Sequence, residues 1–269
     1  MGKGWAKGLT KVGDARVAHA AAAHLGMKYI RRTPRPLWKG NAMVKPYVWT
    51  PTLAYVVGLT ATDGCLIDDG RHINFKSADE ALVATFLQCL ERSNRIQRQA
   101  TKKGSAFYTQ FSDVTLYRWL QSVGLTPRKS LTLGPLTVPS ELVLPLARGL
   151  LDGDGSVSLF EYAGTGKAKG RRYQALRAQF NSASRPHIDW LRDEVRRALG
   201  ISGCVTYIPS KLGAGCWRLS YGNRESEWIL TELYPDRSAP CLLRKRDNWD
   251  RWLALNNAAA PRLGSGSAR

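Results

Sequence analysis

The order of apolar and polar positions repeats once along the chain. An apolar stretch of helical character, AYVVGLTATDG (54–64), has a counterpart in PLARGLLDGDG (145–155). The Asp-Gly pairs that close the two stretches, at 63–64 and 154–155, are 91 residues apart. Internal repetition on this scale indicates two copies of one structural unit.

The segments that follow each apolar stretch match in the same order. An alternating strand pattern with a helix behind it occurs in INFKSADEALVATFLQCL (73–90) and AQFNSASRPHIDWLRDEV (178–195). A later strand pattern, YTQFSD (108–113) and CWRLSY (216–221), precedes a further helix and a basic tract, PRKS (127–130) or LLRKR (242–246). Each copy therefore predicts helix, two strands, helix, two strands, helix.

This pattern predicts an α/β (mixed α+β) protein of two pseudo-symmetric αββαββα halves. We place the first half at residues 50–137 and the second at 138–257. Residues 1–49 are basic and rich in Gly and Ala, which indicates an N-terminal extension. Residues 258–269, which end in GSGSAR, have the composition of a flexible tail.

Capping residues predict where the two apolar helices begin and end. Thr50 is a good N-cap and Pro51 suits the first helical position. Gly64 is expected to end the first helix as a C-cap glycine. The start of the second helix stays open: Ser140 could cap it, with a kink at Pro145, or the helix could begin at Pro145.

Small residues recur four positions apart in both apolar helices. Gly58 lies in one such row with Ala54 and Thr62, and Gly149 lies in the other with Gly153. A row without large side chains lets two backbones approach closely. We therefore expect the two helices to pack on each other through Gly58 and Gly149.

Paired helices would bring Asp63 and Asp154, at their C-terminal ends, side by side. Two close carboxylates repel each other unless a cation lies between them. Mg²⁺, which prefers oxygen ligands, suits such a site, with the backbone of Thr62 and Gly153 beside the acids. The alternative of an EF-hand loop beginning at Asp152 fails, because Val157 and Ala163 occupy its required Gly and Glu positions.

The charge balance points to a polyanionic partner. The chain has 40 Lys and Arg against 21 Asp and Glu, a formal net charge of +19. Such an excess favours nucleic acid. No apolar run is long enough for a membrane span and no signal-peptide core occurs, so we expect an intracellular protein with no membrane partner.

Alternation along the strands separates an apolar face from a polar one that can contact DNA. Ile73 and Phe75 predict one buried face, and Ala178 and Phe180 the other. The polar residues opposite them can contact base edges, and lysines and arginines at hairpin tips can contact phosphates. The predicted DNA-binding residues are His72, Asn74, Lys76, Lys102, Lys103, Gln110, Lys167, Lys169, Arg171, Arg172, Arg177, Gln179, Asn181, Lys211 and Arg218.

The segments VVGLTATDG and ARGLLDGDG resemble the paired LAGLIDADG motifs of homing endonucleases, and the likeness covers roughly residues 50–253. In that family the eighth motif position supplies the metal-binding acid, which corresponds here to Asp63 and Asp154. The first copy has Ala61 at the sixth position, where the second has Asp152.

This resemblance implies saddle-shaped antiparallel sheets along the DNA major groove. It also implies two or three divalent ions, Mg²⁺ first, shared between Asp63 and Asp154, and cleavage of one phosphodiester on each strand of a long target site. A basic residue on the second strand often lies near the scissile phosphate in the family, and Lys76 has that position, whereas Asn181 matches it in the second half. We therefore expect Lys76 to be catalytic and the two centres to differ.

Two motifs in one chain already supply both helices of the interface, so we expect a monomer. Two other functions stay open on the same scaffold: an RNA maturase that assists intron splicing, and a DNA-binding protein that does not cleave. Both acids are present, and a protein that only binds has no need of adjacent carboxylates near phosphate. That observation favours the nuclease.

Overall fold

The computed structural model describes residues 47–101, 104–210 and 215–259, and also Ala15. All the elements described below belong to one compact unit. Apart from Ala15, the predicted extension up to residue 46 lies outside the described residues, as does the tail from residue 260. In the described part of the chain, no helix is both long and apolar enough to cross a membrane.

The first half contains the predicted αββαββα order. Its elements are α1 (Pro51–Thr62), β1 (Gly64–Leu66), β2 (His72–Ser77), α2 (Glu80–Cys89), β3 (Gln97–Thr101), β4 (Gly104–Ser112) and α3 (Val114–Val123). The second half repeats this order and adds one helix. Its elements are α4 (Val143–Asp152), β5 (Ser156–Ala163), β6 (Arg172–Ser182), α5 (Arg185–Leu199), β7 (Cys204–Ile208), β8 (Cys216–Tyr221), α6 (Asn223–Leu233) and α7 (Leu243–Ala259).

Each half has a four-stranded antiparallel sheet of the same topology. The strand order is β1-β2-β4-β3 in the first sheet and β5-β6-β8-β7 in the second. The cross-strand registers also correspond, because Lys76 lies opposite Tyr108 where Asn181 lies opposite Arg218. The predicted mixed α+β fold with two related halves is confirmed.

Helices α1 and α4 pack against each other through their glycines. A Cβ atom on Gly58 would lie 2.2 Å from the Leu146 carbonyl oxygen, and one on Gly149 would lie 2.2 Å from that of Tyr55. Both contacts are with backbone, which cannot rotate away. The predicted helix interface is confirmed, and large residues such as Val56 and Leu151 point into the core with no exposed surface.

The observed helix ends differ from prediction at two points. Helix α1 begins as predicted, with the Thr50 hydroxyl accepting the Leu53 N–H at 3.0 Å, but Asp63 rather than Gly64 is its C-cap. Gly64 already belongs to β1 and is needed for space, since a Cβ there would lie 2.7 Å from Thr60. Helix α4 begins at Val143, which places Pro145 in the first turn. Proline is tolerated there because backbone N–H groups in the first turn have no intrahelical acceptor, so the missing N–H of Pro145 breaks no hydrogen bond.

Candidate functional site

Asp63 and Asp154 lie where α1 and α4 end. Asp63 caps α1 through its own N–H, which donates to the Leu59 carbonyl at 3.0 Å. Loss of contact with water, and then the negative charge of Asp154, raise the pKa of Asp63 to about 7. Partial loss of hydration also raises the pKa of Asp154, although this side chain keeps an exposed surface. The structure therefore brings the two predicted acids into one electrostatic site.

Two buried lysines lie against the same helix ends. Lys129, in a short 3₁₀ turn after α3, donates from Nζ to the Gly64 carbonyl. Lys245, in α7, donates to the carbonyls of Leu151 and Asp152 at 2.7 Å and of Gly153 at 3.0 Å. Carbonyls at a helix C-terminus attract cations, which accounts for the position of Lys245 beyond α4.

The lysines and the acids are coupled electrostatically. Burial lowers the pKa of Lys245 to about 8 and also lowers the pKa of Lys129. Both positive charges lower the pKa of Asp63 and of Asp154, in opposition to the effect of burial. Each half thus supplies one carboxylate and one buried ammonium group.

Sequence reasoning missed a role for these lysines, although a signal was present. They occupy the two basic tracts, PRKS and LLRKR, that close the repeated copies. Without the fold, nothing showed that these tracts return to the ends of α1 and α4. The carbonyl of Gly153, whose backbone is predicted to lie beside a metal ion, accepts a hydrogen bond from Lys245 at 3.0 Å.

Asp152 ties α4 to the segment that carries Lys245. Its carboxylate is fully buried and accepts hydrogen bonds from the Tyr55 and Tyr234 hydroxyls, both at 2.9 Å, and from the Leu242 N–H at 2.7 Å. The first copy has Ala61 at the matching position and so has no equivalent of this network. Asp152 therefore holds α7 against α4 in the second half, and the first half has no counterpart of this contact.

The polar face of the first sheet is built as the alternation predicts. Ile73 and Phe75 are fully buried, whereas Lys76 is exposed and Asn74 is half-buried. Asn74 donates to Gln110 on β4 at 3.4 Å, and the Lys76 ammonium donates to Gln99 on β3 at 2.8 Å. His72, at the start of β2, is hydrogen-bonded to the carboxylate of Asp69.

The second sheet presents an equivalent face with a different distribution of charge. Asn181 donates to the Asp154 carbonyl at 2.8 Å and accepts from Arg218 on β8 at 2.9 Å. Gln179 donates to Ser220 at 2.9 Å. A cation therefore does stand beside Asn181, but the neighbouring strand supplies it. In the first half that cation is Lys76, on β2 itself.

The remaining predicted DNA-binding residues are of two kinds. Lys167, Lys169, Arg171 and Arg172 are exposed at the β5–β6 hairpin, where Arg172 forms an ion pair with Glu161, and Arg177 is exposed on β6. Lys102, Lys103 and Lys211 lie outside the described residues.

The architecture is similar to that of solved homing endonucleases. A mutant of the meganuclease I-SmaMI matches 79% of this chain and 93% of its own, with 12% identity and a TM-score of 0.52. I-LtrWI, a LAGLIDADG homing endonuclease bound to target DNA, matches 78% of this chain and 91% of its own, with 11% identity and a TM-score of 0.48.

Full-length WhiA from Thermatoga maritima is similar as well. It matches 82% of this chain and 70% of its own, with 13% identity and a TM-score of 0.45. No protein-family model matches the sequence, and no curated protein is significantly similar to it.

These findings define the class of fold. The chain has the LAGLIDADG fold: two αββαββα halves joined through the paired motif helices α1 and α4.

Proposed function

We propose that the chain is a site-specific endonuclease of double-stranded DNA that hydrolyses one phosphodiester on each strand. The observation that carries this proposal is the shared site at the ends of α1 and α4, where one carboxylate and one buried lysine come from each half. The protein acts as a monomer, because α1 and α4 of one chain already pack against each other and form the helix interface.

Asp63 and Asp154 would hold the divalent cations, with Mg²⁺ as the preferred ion. The fit rests on the position of the two acids at the C-terminal ends of the paired helices α1 and α4. Burial first, and then the charge of Asp154, raise the pKa of Asp63, and a cation between the acids would relieve the second of these effects. In the described part of the chain, no cluster of three or more His, Cys, Asp or Glu side chains is positioned to hold a metal. Two protein carboxylates leave coordination positions for water and phosphate, as Mg²⁺ usually requires. When bound, the metal would supply a more acidic water and neutralise charge on the phosphate.

Lys129 and Lys245 would place ammonium groups beside the scissile phosphates. Lys245, with a pKa of about 8, is mostly charged at neutral pH. Its three carbonyl partners fix it without neutralising it, because carbonyls carry no formal charge. A fixed cation in a partly buried site stabilises negative charge that develops on phosphate oxygens.

The polar faces of the two sheets would bind a long target site in the major groove. Asn74, Gln110 and Gln179 are suited to base edges, and the exposed lysines and arginines to phosphates. The net charge of +19 supports this assignment, because contacts with phosphate account for much of the affinity of a protein for DNA.

The decisive experiment is cleavage selection from a library of DNA duplexes with a randomised centre, in the presence of Mg²⁺. We expect the protein to cut one defined sequence on both strands, and chelation of the metal to stop the reaction. Stable binding of a defined duplex without cutting under any divalent cation would assign the chain to the non-cleaving alternative. Preference for intron RNA over every duplex would support the maturase.

Lys245→Met should reduce cleavage strongly and leave DNA affinity nearly unchanged. Methionine keeps much of the apolar length of lysine but has no charge, so the C-terminal carbonyls of α4 lose their buried cation. Removal of one fixed charge-stabilising group commonly lowers kcat by roughly 100-fold or more. The measurement is single-turnover cleavage beside equilibrium binding, with Arg237→Met on the exposed surface as a control.

Lys76→Ala and Arg218→Ala should slow the cutting of opposite DNA strands. Each cation is on the polar face of one half, so each should act on the phosphate nearest that half. We expect about a tenfold effect on one strand, equivalent to ~1.4 kcal/mol of barrier, with accumulation of nicked DNA. Asn181→Ala should have a smaller effect. A time course with each strand labelled separately measures this, and equal slowing of both strands by Lys76→Ala would remove it from the mechanism.

Binding should be steeply sensitive to salt, because the protein's net charge is +19. If about six cations contact phosphates, the plot of log K against log salt should have a slope of about −5. Lys167→Gln should make the slope shallower by about one unit. Titrations at several salt concentrations test both expectations, and a flat response would exclude a binding mode based on phosphate contacts.

A further inference from the structure

The β5–β6 hairpin is much longer than its counterpart in the first half. Strands β5 and β6 are paired over eight positions, from Ser156↔Gln179 to Ala163↔Arg172. Strands β1 and β2 are paired over three, from Gly64↔Phe75 to Leu66↔Ile73. Both hairpins begin just after the motif acids, so the second extends about five residue pairs further. At ~3.3 Å per residue this difference is ~17 Å.

The additional part of this hairpin is a two-stranded ribbon outside the four-stranded sheet. Strand β8 pairs with β6 only from Ala178 to Ser182. We call the residues beyond that pairing, 158–163 and 172–177, the distal ribbon. Its base is held by Asn223, whose side-chain oxygen accepts the Leu176 N–H at 2.6 Å.

One face of the distal ribbon is aromatic and open to solvent. Phe160 is 37% exposed and Tyr162 is 51% exposed. The Tyr162 and Tyr173 rings stack with centroids 5.6 Å apart, and the Arg177 guanidinium lies 5.1 Å from the Phe160 ring centroid. Cross-strand register places these residues on the same face as Gln179, which is the polar face of the second sheet. The aromatic rings therefore continue that face outward.

Charge distinguishes the distal ribbon from the corresponding region of the first half. The turn that closes the ribbon carries the exposed cations Lys167, Lys169 and Arg171. The turn between β1 and β2 carries Asp68 and Asp69 instead, which form ion pairs with Arg128 and Arg71 respectively. A polyanion is thus attracted to the ribbon tip and is not attracted to the first-half turn in the same way.

We infer that the distal ribbon extends the DNA interface of the second half, with its aromatic face against thymine methyl groups in the major groove. This inference rests on the proposed function. At 3.4 Å per base pair, ~17 Å adds about five base pairs to one side of the site. Aromatic side chains make apolar contact with the thymine methyl group, which uracil lacks. The tip cations bind the phosphates beyond these bases.

The extent of the interface is tested by footprinting the full-length protein on the duplex recovered by selection, under metal conditions that prevent cutting. We expect protection to reach about five base pairs further from the cleavage positions on one side than on the other. Failure to recover any duplex would defeat the proposed function itself. Recovery of a duplex with equal protection on both sides would overturn only the present inference.

The role of the aromatic face is tested with Phe160→Ala and Tyr162→Ala together. The double variant should lose the additional protection, and its affinity for the duplex should fall by up to about tenfold. Tyr207→Ala is the matched control, because Tyr207 is 50% exposed on β7 but lies opposite Trp217, on the other face of the same sheet. Thermal unfolding of all variants shows whether the fold is retained.

Replacement of thymine by deoxyuridine in the outer part of the site provides a second measurement on the wild-type protein. We expect the wild type to bind the substituted duplex more weakly than the thymine duplex. The double variant should bind the two duplexes equally. A wild-type affinity that is unchanged by deoxyuridine would overturn the methyl-group contact. This comparison uses only the wild-type protein, so it stands even if the variant proteins prove unstable.

Discussion

Asp63→Asn and Asp154→Asn should each abolish double-strand cleavage, while DNA binding is retained. Asparagine preserves the shape of the side chain but removes the charge that would hold a divalent cation. Cleavage should fall below detection in Mg²⁺, and affinity measured in a gel-shift or anisotropy titration should change by no more than a few-fold. Metal-dependent cutting that survives both substitutions would exclude the two acids from catalysis.

The same Asp63→Asn change should stabilise the metal-free protein at high pH. The pKa of Asp63 is raised from 3.8 to about 7 in the folded state, so the folded protein binds the proton more tightly than the unfolded chain does. Its ionisation therefore reduces stability as pH rises from about 4 to 7, and the reduction persists above that window. Melting temperatures of the wild type and the variant, measured without metal at about pH 5 and about pH 8, should differ more at the higher pH.

Gly58→Ala should lower stability and activity together. Alanine normally stabilises the interior of a helix by about 1 kcal/mol relative to glycine. At this position its Cβ would lie 2.2 Å from the Leu146 carbonyl oxygen and 2.8 Å from the Leu150 nitrogen. These backbone atoms can give way only if α1 and α4 separate, which also displaces the two acids that the helices carry.

We expect Gly58→Ala to lose about 3 kcal/mol, at the upper end of the usual range for overpacking. This corresponds to a fall in Tm of roughly 6–12 °C for a domain of this size. Gly134→Ala is the control, because a Cβ there meets no atom within 4 Å and the residue is not in the left-handed region. A Gly58→Ala protein as stable as the wild type would show that the helices do not pack as described.

Local pattern determined much of the fold. The period-two alternation at 72–76 and 177–181 assigned Ile73, Phe75, Ala178 and Phe180 to the buried face, because a strand turns successive side chains to opposite sides. The small residues at Gly58 and Gly149 identified the helix interface for a similar reason, since close backbone contact tolerates no side chain. Repetition of the pattern supplied the two-fold organisation of the halves.

Helix ends were less well determined, because they depend on neighbours. Glycine is the residue type typical of a helix C-cap, yet Gly64 is required because the start of β1 packs too closely against Thr60 to leave room for a side chain. Pro145 marks a break when considered alone, but the turn at 140–142 allows the helix to begin two residues earlier.

The sequence alone determined the repeat, the strand faces and the two acids, because each depends on spacing within a short segment. Tertiary structure decided which distant groups join them. Lys129 and Lys245 lie 66 and 91 residues along the chain from Asp63 and Asp154, and only the packed helices bring them to the same carbonyl ends. Arg218 came to stand beside Asn181 because β8 pairs with β6, a strand pairing that no local pattern encodes.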